Sequence, residues 1–198
     1  MVQRRSIQHF NRFFNEELTL DVMLQRIKEM IAKTPSWVGK ILRFALLVGL
    51  RPAEVCESIS LICKSNDKYY NPERQALEHF KFPEIFLRQT KKAYISFVTP
   101  EMLKKFEIEQ IPQVPSRNAI TYNHIRYAYW SAGIKCDMRY CRKIFASWLR
   151  KEGIAPEIVD LLQGRVSQSI LTRHYLAPSQ SMKDDVLKAL EKLQSQLN

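Results

Sequence analysis

The sequence lacks the features that would place the chain in a membrane, in an oxidising compartment or around a structural zinc ion. Its four cysteines form no CxxC pair, and no histidine stands at zinc-site spacing from them. We therefore expect reduced, mostly packed thiols inside a cell. No apolar run approaches the roughly 18 residues that span a bilayer. The polar, basic start at Met1 is not a signal peptide. These absences predict a cytoplasmic protein with no membrane partner.

Acidic residues are scarce relative to basic ones. The chain has 31 Lys and Arg residues against 20 Asp and Glu, a formal net charge of +11 and a pI of about 9.6. This balance favours polyanionic partners, and nucleic acid is the first candidate. With 198 residues, 45% of them hydrophobic, the chain can bury one substantial core, or one domain and a short appendage.

Helical spacing and capping residues dominate the first part of the chain. A helix is predicted from about 20 to 33, with Thr19 or Asp21 as its cap. The pair Thr34-Pro35 predicts a cap and a first helical proline for a second helix, which Gly49 ends.

Arg51 stands directly before a further helix start. Pro52 predicts the start of a short helix there. The free backbone N–H groups of that helix start, beside the Arg51 guanidinium, favour an anion. The competing interpretation is a surface arginine at a helix start.

Residues 66–98 lose the helical period. Asn71 to Arg74 predict a turn, and three strands are predicted from Ala76 to Phe82, Glu84 to Gln89 and Ala93 to Val98. In the last strand Ala93, Ile95 and Phe97 alternate with Tyr94 and Ser96. The segment Thr90-Lys91-Lys92 would form a hairpin tip, which is either a solvated edge or a flexible finger that carries an ammonium group into a site.

Helices resume after Thr99, with an extended or looped segment from Ile108 to Pro115. The predicted helices run from Pro100 to about Phe106, Asn118 to Ala132, residues 138 to 152, Pro156 to Gln163, Gln168 to Tyr175, and from Ser179 or Ser181 to the end. Predicted caps are Asp137 and Ser167, and predicted stops are Gly133, Gly153 and Gly164.

Apolar spacing assigns the buried faces of three of these helices. The inward residues are predicted to be Ile120, His124, Tyr127, Ala128 and Trp130, then Cys141, Phe145, Trp148 and Leu149, and finally Met182, Val186, Leu190, Leu193 and Leu197. The last stripe needs a groove, in this chain or in a neighbour's.

The stretch from Arg139 to Tyr175 combines spaced arginines with a hydroxyl-bearing aromatic. Arg139, Arg142 and Lys143 fall in the first turns of a predicted helix, where the helix dipole opposes each cation by about 0.3–1 kcal/mol. Such an unfavourable placement indicates a bound anion. A solvated basic helix in a duplex groove is the competing explanation. With Arg165, the spacing suits cations around a phosphate that a phenol attacks.

Four short motifs together resemble the catalytic domain of the tyrosine recombinases, the phage-type integrases. The motifs are Gly49-Leu50-Arg51-Pro52-Ala53-Glu54-Val55, Arg139-x-x-Arg142, Leu162-Gln163-Gly164-Arg165 and His174-Tyr175. Arg139 stands where most members have His, and Arg165 where most have His or Trp. These replacements in a basic chain look most like integrases of archaeal spindle-shaped viruses and related plasmids.

The resemblance implies an α+β, mainly α-helical fold with a small antiparallel sheet or hairpin on one edge. Residues 35–198 would form the catalytic domain, including a C-terminal exchange helix, and residues 1–34 a linker or N-terminal remnant with one helix. Full integrases of this kind carry an additional N-terminal DNA-clamping domain, so we expect either a fragment or a chain that binds weakly.

The implied activity is site-specific cleavage and rejoining of double-stranded DNA through a 3′-phosphotyrosine, integrating or excising viral or plasmid DNA. Other protomers would join in a tetramer on DNA, with no metal and no cofactor. Two alternatives stay open: a type IB topoisomerase, and a non-catalytic DNA-binding module in which the aromatic is packed and the arginines contact phosphates.

The resemblance also assigns roles to residues. Arg51 and Arg142 would clamp the scissile phosphate, with Arg165 and Arg139 completing the clamp, and Tyr175 would attack phosphorus.

The remaining implied roles concern protons and support. Lys91, with Lys92 as the fallback, would protonate the leaving 5′-oxygen, and Glu54 would orient Arg51 or a neighbouring cation. His174 is a supporting residue. Because arginine does not deprotonate at working pH, Arg139 is unsuited to the proton-transfer role of the usual His.

Overall fold

A computed structural model describes residues 19–88, 91–105, 120–134, 138–165 and 180–197. The longer helices are α1 (Leu20–Lys33), α2 (Ser36–Val48), α3 (Pro52–Tyr69), α6 (Tyr122–Ser131), α7 (Arg139–Lys151) and α9 (Gln180–Gln196). The shorter ones are α4 (Pro83–Phe86), α5 (Pro100–Lys105), α8 (Pro156–Leu162) and a 3-10 helix, His79–Lys81. The strands are β1 (Tyr70–Asn71), β2 (Ala76–Leu77), β3 (Leu87–Arg88), β4 (Lys91–Lys92) and β5 (Ser96–Phe97). The predicted class, α+β and mainly helical with a small antiparallel sheet, is confirmed.

Helices α1, α2 and α7 pack together and form the centre of the core. Helix α2 is buried on nearly every side, as expected for a helix that is apolar all round. Helix α1 contributes Met23, Leu24, Ile27 and Met30 to the same core. The Thr19 side chain accepts from Val22 N at 3.3 Å, which confirms its capping role. A domain boundary at residue 34 stays a prediction.

The start of α2 differs from the prediction. The Thr34 hydroxyl does not cap α2 but donates to Met30 O at 2.9 Å, so it satisfies a carbonyl at the end of α1. Pro35 is the N-cap residue of α2 and makes no side-chain cap bond. Gly49 ends α2 in the left-handed conformation, as predicted. A Cβ there would lie 2.4 Å from Phe145 Cδ1, which is incompatible with a larger residue.

Helix α3 begins at Pro52 as predicted, but it is 18 residues long rather than short. Its last residue, Tyr69, is fully buried and leads straight into β1. The sequence signal weakened because polar residues follow Cys63, although the backbone stays helical.

The three predicted strands are mostly wrong, although the turn after Asn71 is confirmed by the bond from Arg74 N to Asn71 Oδ1 at 3.1 Å. The first strand is only β2, the second is largely replaced by α4, and the third is only β5. The sheet has the order β1-β2-β5, with Ala76 opposite Phe97. A second, two-stranded sheet pairs β3 with β4, and Lys91 and Lys92 lie in its returning strand rather than at its tip.

A buried polar network explains why the strand pattern fails. His79 lies in the 3-10 helix, where Nδ1 hydrogen-bonds Tyr69 Oη at 2.7 Å and Nε2 hydrogen-bonds Ser96 Oγ at 2.8 Å. Ser96 is therefore buried beside Phe97, and the expected alternation of apolar and polar faces is lost. The Tyr69 hydroxyl also donates to Ser58 Oγ at 2.8 Å.

Helix α6 is shorter than predicted and partly rotated. Ile125, Ala128 and Tyr129 face inward, whereas Tyr127 and Trp130 are 67% and 75% exposed. The buried positions follow the i, i+3, i+4 pattern, so an inward Tyr127 or Trp130 is wrong. His124 faces the helix start instead, where its Nδ1 accepts from Thr121 N at 3.2 Å.

The apolar stripe of the C-terminal helix α9 packs in a groove of this same chain. Helix α9 packs on α2, α7 and β5, and Trp148 Nε1 donates to Ala189 O at 2.8 Å. Lys192 Nζ lies 2.6 Å from Glu152 Oε2, and Arg43 donates to Leu197 O. The buried apolar residues are Val186, Leu187, Ala189, Leu190, Leu193 and Leu197, while Met182 is half-buried.

The remaining helices agree with the sequence. The Thr99 hydroxyl accepts from Met102 N at 3.1 Å and caps α5, and Cys141, Phe145, Trp148 and Leu149 are buried along α7 as predicted. Several predictions lie outside the described residues: the first 18 residues of the predicted linker or remnant, the loop from Ile108 to Pro115, the Asp137 cap, and the helix from Gln168 to Tyr175 with its Ser167 cap. No helix in the described ranges has both the length and the apolar character needed to cross a membrane.

Candidate active site

Arg142 is the centre of the candidate site. It lies in the second turn of α7 with only 9% of its surface exposed. Its Nη1 donates to Gly49 O at 2.9 Å, and its Nη2 donates to Gln163 O at 2.6 Å. The guanidinium thus joins the end of α2 to the end of α8. These two bonds use two of five N–H groups, so others can still reach an anion.

Gln163 and Arg142 are joined by two hydrogen bonds, one in each direction. Gln163 Nε2 donates to Arg142 O at 2.7 Å, and Gln163 is fully buried. This reciprocal pair fixes the backbone that immediately precedes Gly164 and Arg165. In the sequence, Gln163 was assigned to the end of a helix and to the motif Leu162-Gln163-Gly164-Arg165, without a role of its own. Its place directly before the glycine of a quoted motif was the available signal.

Arg51 enters the site from the start of α3. Its Nη1 donates to Glu54 Oε1 at 2.9 Å, and its backbone N donates to Glu54 Oε2 at 3.0 Å. Glu54 therefore reaches back across the first turn, as the acidic residue of a capping box does. The guanidinium is held by a carboxylate that is itself buried. The orienting role of Glu54 stays a prediction, and this contact places the carboxylate where that role needs it.

Arg165 follows the left-handed Gly164 at the end of α8. Its backbone N donates to Asp160 O at 2.7 Å, and its Nη1 lies 3.8 Å from Asp160 Oδ1. The side chain is 59% exposed. An exposed, loosely held guanidinium at this position can adjust to a ligand that approaches from solvent.

The charges of Arg51 and Arg165 act on the buried Arg142. Burial, and after it the charges of Arg51 and Arg165, lower the pKa of Arg142 from its ordinary value to about 10. Glu54 and Asp160 oppose this lowering without cancelling it. The charged form of Arg142 is therefore less favourable than it would be in water. A bound anion would offset this cost, since it adds opposite charge beside a buried cation.

The hairpin formed by β3 and β4, which carries Lys91 and Lys92, lies against the turn that carries Arg165. Lys92 N donates to Gly164 O at 3.3 Å, and an added Cβ on Gly164 would meet the backbone of Lys92 and Ala93. The Lys92 side chain is exposed. The backbone of Lys91 pairs with Arg88, while its side chain lies outside the described part of the chain.

The other predicted residues are divided between the described and undescribed parts of the chain. Arg139 is the first residue of α7, is exposed, and stands one turn before Arg142 on the same helix. Tyr175 and His174 lie outside the described residues. Within the described ranges, no cluster of three or more His, Cys, Asp or Glu residues has the arrangement of a metal site.

The fold and the candidate site define a basic α+β protein with a buried arginine that two backbone carbonyls hold. The chain belongs to the archaeal phage integrase family, whose sequence profile matches residues 19–192. Family membership supports a role as an integrase, and the match includes each of the described residues of the site. Searches of curated proteins and of solved structures found no significant match.

Proposed function

We propose that the chain is the catalytic domain of a tyrosine recombinase that integrates or excises viral or plasmid DNA through a 3′-phosphotyrosine intermediate. The observation that carries this proposal is the buried Arg142, whose charge is disfavoured by burial and by two neighbouring arginines. Such an arrangement is costly for a protein unless a strongly anionic ligand occupies it. A DNA phosphodiester is that ligand in an integrase.

Arg51, Arg142 and Arg165 bind the nonbridging oxygens of the scissile phosphate in this proposal. A planar guanidinium matches a phosphate with two parallel N–H bonds, and it stabilises the charge that builds up in the transition state. Arg142 is rigid because two carbonyls hold it, and Arg51 is rigid because Glu54 holds it. Preorganised donors of this kind act without reorganising during the reaction. Arg139 adds a further positive charge from the start of α7.

Tyr175 supplies the nucleophile. Its phenolic oxygen attacks phosphorus and forms the phosphotyrosine bond, while the bond from phosphorus to the 5′-oxygen breaks. The phenolic proton leaves as phenolate forms, favoured by the surrounding positive charge, or passes to another group. Arginine does not accept it. The 3′-phosphotyrosine keeps the ester bond energy, so a 5′-hydroxyl can attack in turn and rejoin the strand.

A hairpin lysine supplies the proton that the leaving 5′-oxygen needs. Lys91 is the first candidate and Lys92 the second, and β4 carries both beside the turn with Arg165. An ammonium group is a suitable general acid, since a 5′-alkoxide is a poor leaving group. We further propose assembly into a tetramer on double-stranded DNA with exchange of helix α9. In the single chain, α9 fills its own groove, so exchange would require its release.

A suicide DNA substrate tests the proposal. The substrate carries a nick near the cleavage site, so the short 5′-hydroxyl strand diffuses away and the covalent intermediate accumulates. The parent protein should give a denaturation-resistant protein–DNA band. Tyr175→Phe should bind DNA equally well and give no band, because it lacks only the attacking oxygen.

Other outcomes identify the alternatives. Binding without any covalent band would indicate a non-catalytic DNA-binding module. A covalent band together with relaxation of supercoiled DNA by isolated protomers, and no strand exchange, would indicate a topoisomerase.

A further inference from the structure

We infer that Gly164 is a positioning residue, which allows strand β4 to lie directly on the turn that carries Arg165 and so sets where the hairpin lysine reaches. This inference rests on the proposed function, because it assigns how the general acid is held. It concerns a contact between two backbone segments, and Gly164 itself takes no part in the chemistry.

The contact is close on the side where a side chain would stand. A Cβ added to Gly164 would lie 2.5 Å from Ala93 N, 2.6 Å from Lys92 C and 2.8 Å from Lys92 O. All three are backbone atoms, which cannot turn aside as the end of a flexible side chain can. Gly164 also has φ +63, a conformation that side chains disfavour. Any larger residue must therefore move β4 or the turn.

Two hydrogen bonds locate β4 between the turn and the preceding helix. Lys92 N donates to Gly164 O at 3.3 Å, and Ala93 N donates to Phe86 O at 3.2 Å. The sheet formed by β3 and β4 has two residues in each strand. A two-stranded hairpin is marginally stable alone, so the position of its lysines depends on what it packs against. Gly164 is a principal part of that support.

The same turn is fixed on its other side by the arginine site. Gln163 O accepts from Arg142, and Arg165 N donates to Asp160 O. The turn is thus held by α7 and α8, whereas β4 belongs to a small hairpin. When a methyl group is forced between them, β4 is the partner that yields. The lysine should move away while the arginines stay in place.

The test compares two alanine substitutions at left-handed glycines. Gly164→Ala introduces both strain at positive φ and a collision with β4. Gly153→Ala is the matched control, since Gly153 has φ +86 and an added Cβ there would meet nothing within 4 Å. Both variants carry the conformational strain, and only one carries the collision. Single-turnover cleavage is measured for each on two DNA substrates.

The two substrates differ only in the bridging atom of the scissile phosphate. One has the normal 5′-oxygen, and the other has sulfur, which leaves with little need for a proton. On the oxygen substrate Gly164→Ala should cleave roughly 10- to 100-fold more slowly than the parent, the scale of an ångström-sized misplacement. On the sulfur substrate it should come within about 3-fold of the parent, because general-acid catalysis is then dispensable. Gly153→Ala should stay within about 3-fold on both.

Three results would overturn the inference while leaving the proposed function intact. They are an equal loss on both substrates, which would place the defect in the arginines, no loss on either, and an equal loss in Gly153→Ala. Failure of the proposed function looks different, since the parent itself would then form no covalent adduct.

Hydrogen exchange of the parent protein keeps the inference testable if Gly164→Ala does not fold. The Lys92 amide should be protected from exchange by its bond to Gly164 O. Exchange at the rate of an unstructured amide would show that the contact is absent, and the inference would fail.

Discussion

Replacing Arg142 by lysine tests whether the site needs a residue that stays positively charged when it is buried. The pKa of Arg142 falls from its ordinary value to about 10, through burial first and then through the charges of Arg51 and Arg165. This lowering corresponds to about 3 kcal/mol against the charged form, yet arginine remains charged at neutral pH. Lysine starts from a pKa of about 10.4, so the same lowering brings its titration to roughly pH 8.

The sign of the pH effect follows from which form binds phosphate. The ammonium form of Arg142→Lys is active and predominates at low pH, and the neutral amine that forms as pH rises is inactive. The ratio of variant to parent cleavage should therefore fall by about 10-fold or more between pH 6.5 and 9. Taking the ratio removes the rise that both proteins share as the nucleophile deprotonates.

The assay is single-turnover cleavage at subsaturating DNA, where the rate constant reports ionisations of the free protein. Arg165→Lys is the matched control, because 59% of that side chain is exposed and an ammonium there keeps its hydration. Its ratio should stay flat across the same range. A flat ratio for Arg142→Lys, or one that rises with pH, would refute the reasoning.

Three further predictions concern the clamp, the buried histidine and the C-terminal helix. Arg51→Ala and Arg142→Ala should each slow cleavage by roughly 10²-fold or more, with a much smaller loss of DNA affinity in a binding assay. Burial lowers the pKa of His79 to about 3, so between pH 3 and about 6.5 the unfolded state binds a proton that the folded state does not. Acidification from pH 7.5 to 5 should therefore lower the free energy of unfolding, measured in urea, by about 2 kcal/mol, and His79→Gln should lose this pH dependence. Leu193→Ala should lower the free energy of unfolding by about 2–5 kcal/mol, whereas the exposed Lys188→Ala should change it by less than about 0.5 kcal/mol.

Each of these predictions has a contradicting result. Parallel losses of affinity and cleavage would make the two arginines ordinary binding residues. An unchanged pH dependence in His79→Gln would mean that other groups control acid stability. Equal effects of the two substitutions in α9 would show that this helix does not pack on the core in solution.

The helical framework was largely predictable, because caps and apolar spacing are local signals. Thr19 and Gly49 mark helix ends in the sequence and in the structure. The strand region was not, since His79 and Ser96 are polar residues that the fold buries through hydrogen bonds between distant segments. Alternation of apolar and polar residues cannot reveal such a pair. The exposed position of Trp130 was also missed, because the aromatic character of a residue does not show which face of a helix it occupies.

The structure groups three of the predicted site residues, whose catalytic roles stay predictions. The sequence motifs pick out Arg51, Arg142 and Arg165, and the structure brings these residues into electrostatic contact. The carbonyls of Gly49 and Gln163, which hold the central guanidinium, are backbone groups and leave no residue-type signal. The choice of Lys91 over Lys92 as the acid, and of Tyr175 as the nucleophile, stays a prediction.

The most direct measurement is the identity of the residue that carries DNA. The parent protein is trapped on a suicide substrate, digested with a protease, and the DNA-linked peptide is sequenced by mass spectrometry. We expect one peptide, with a 3′-phosphate of the DNA esterified to Tyr175. A DNA-linked peptide centred on Tyr140 or His174, or no linked peptide under conditions where the protein binds the substrate, would contradict it.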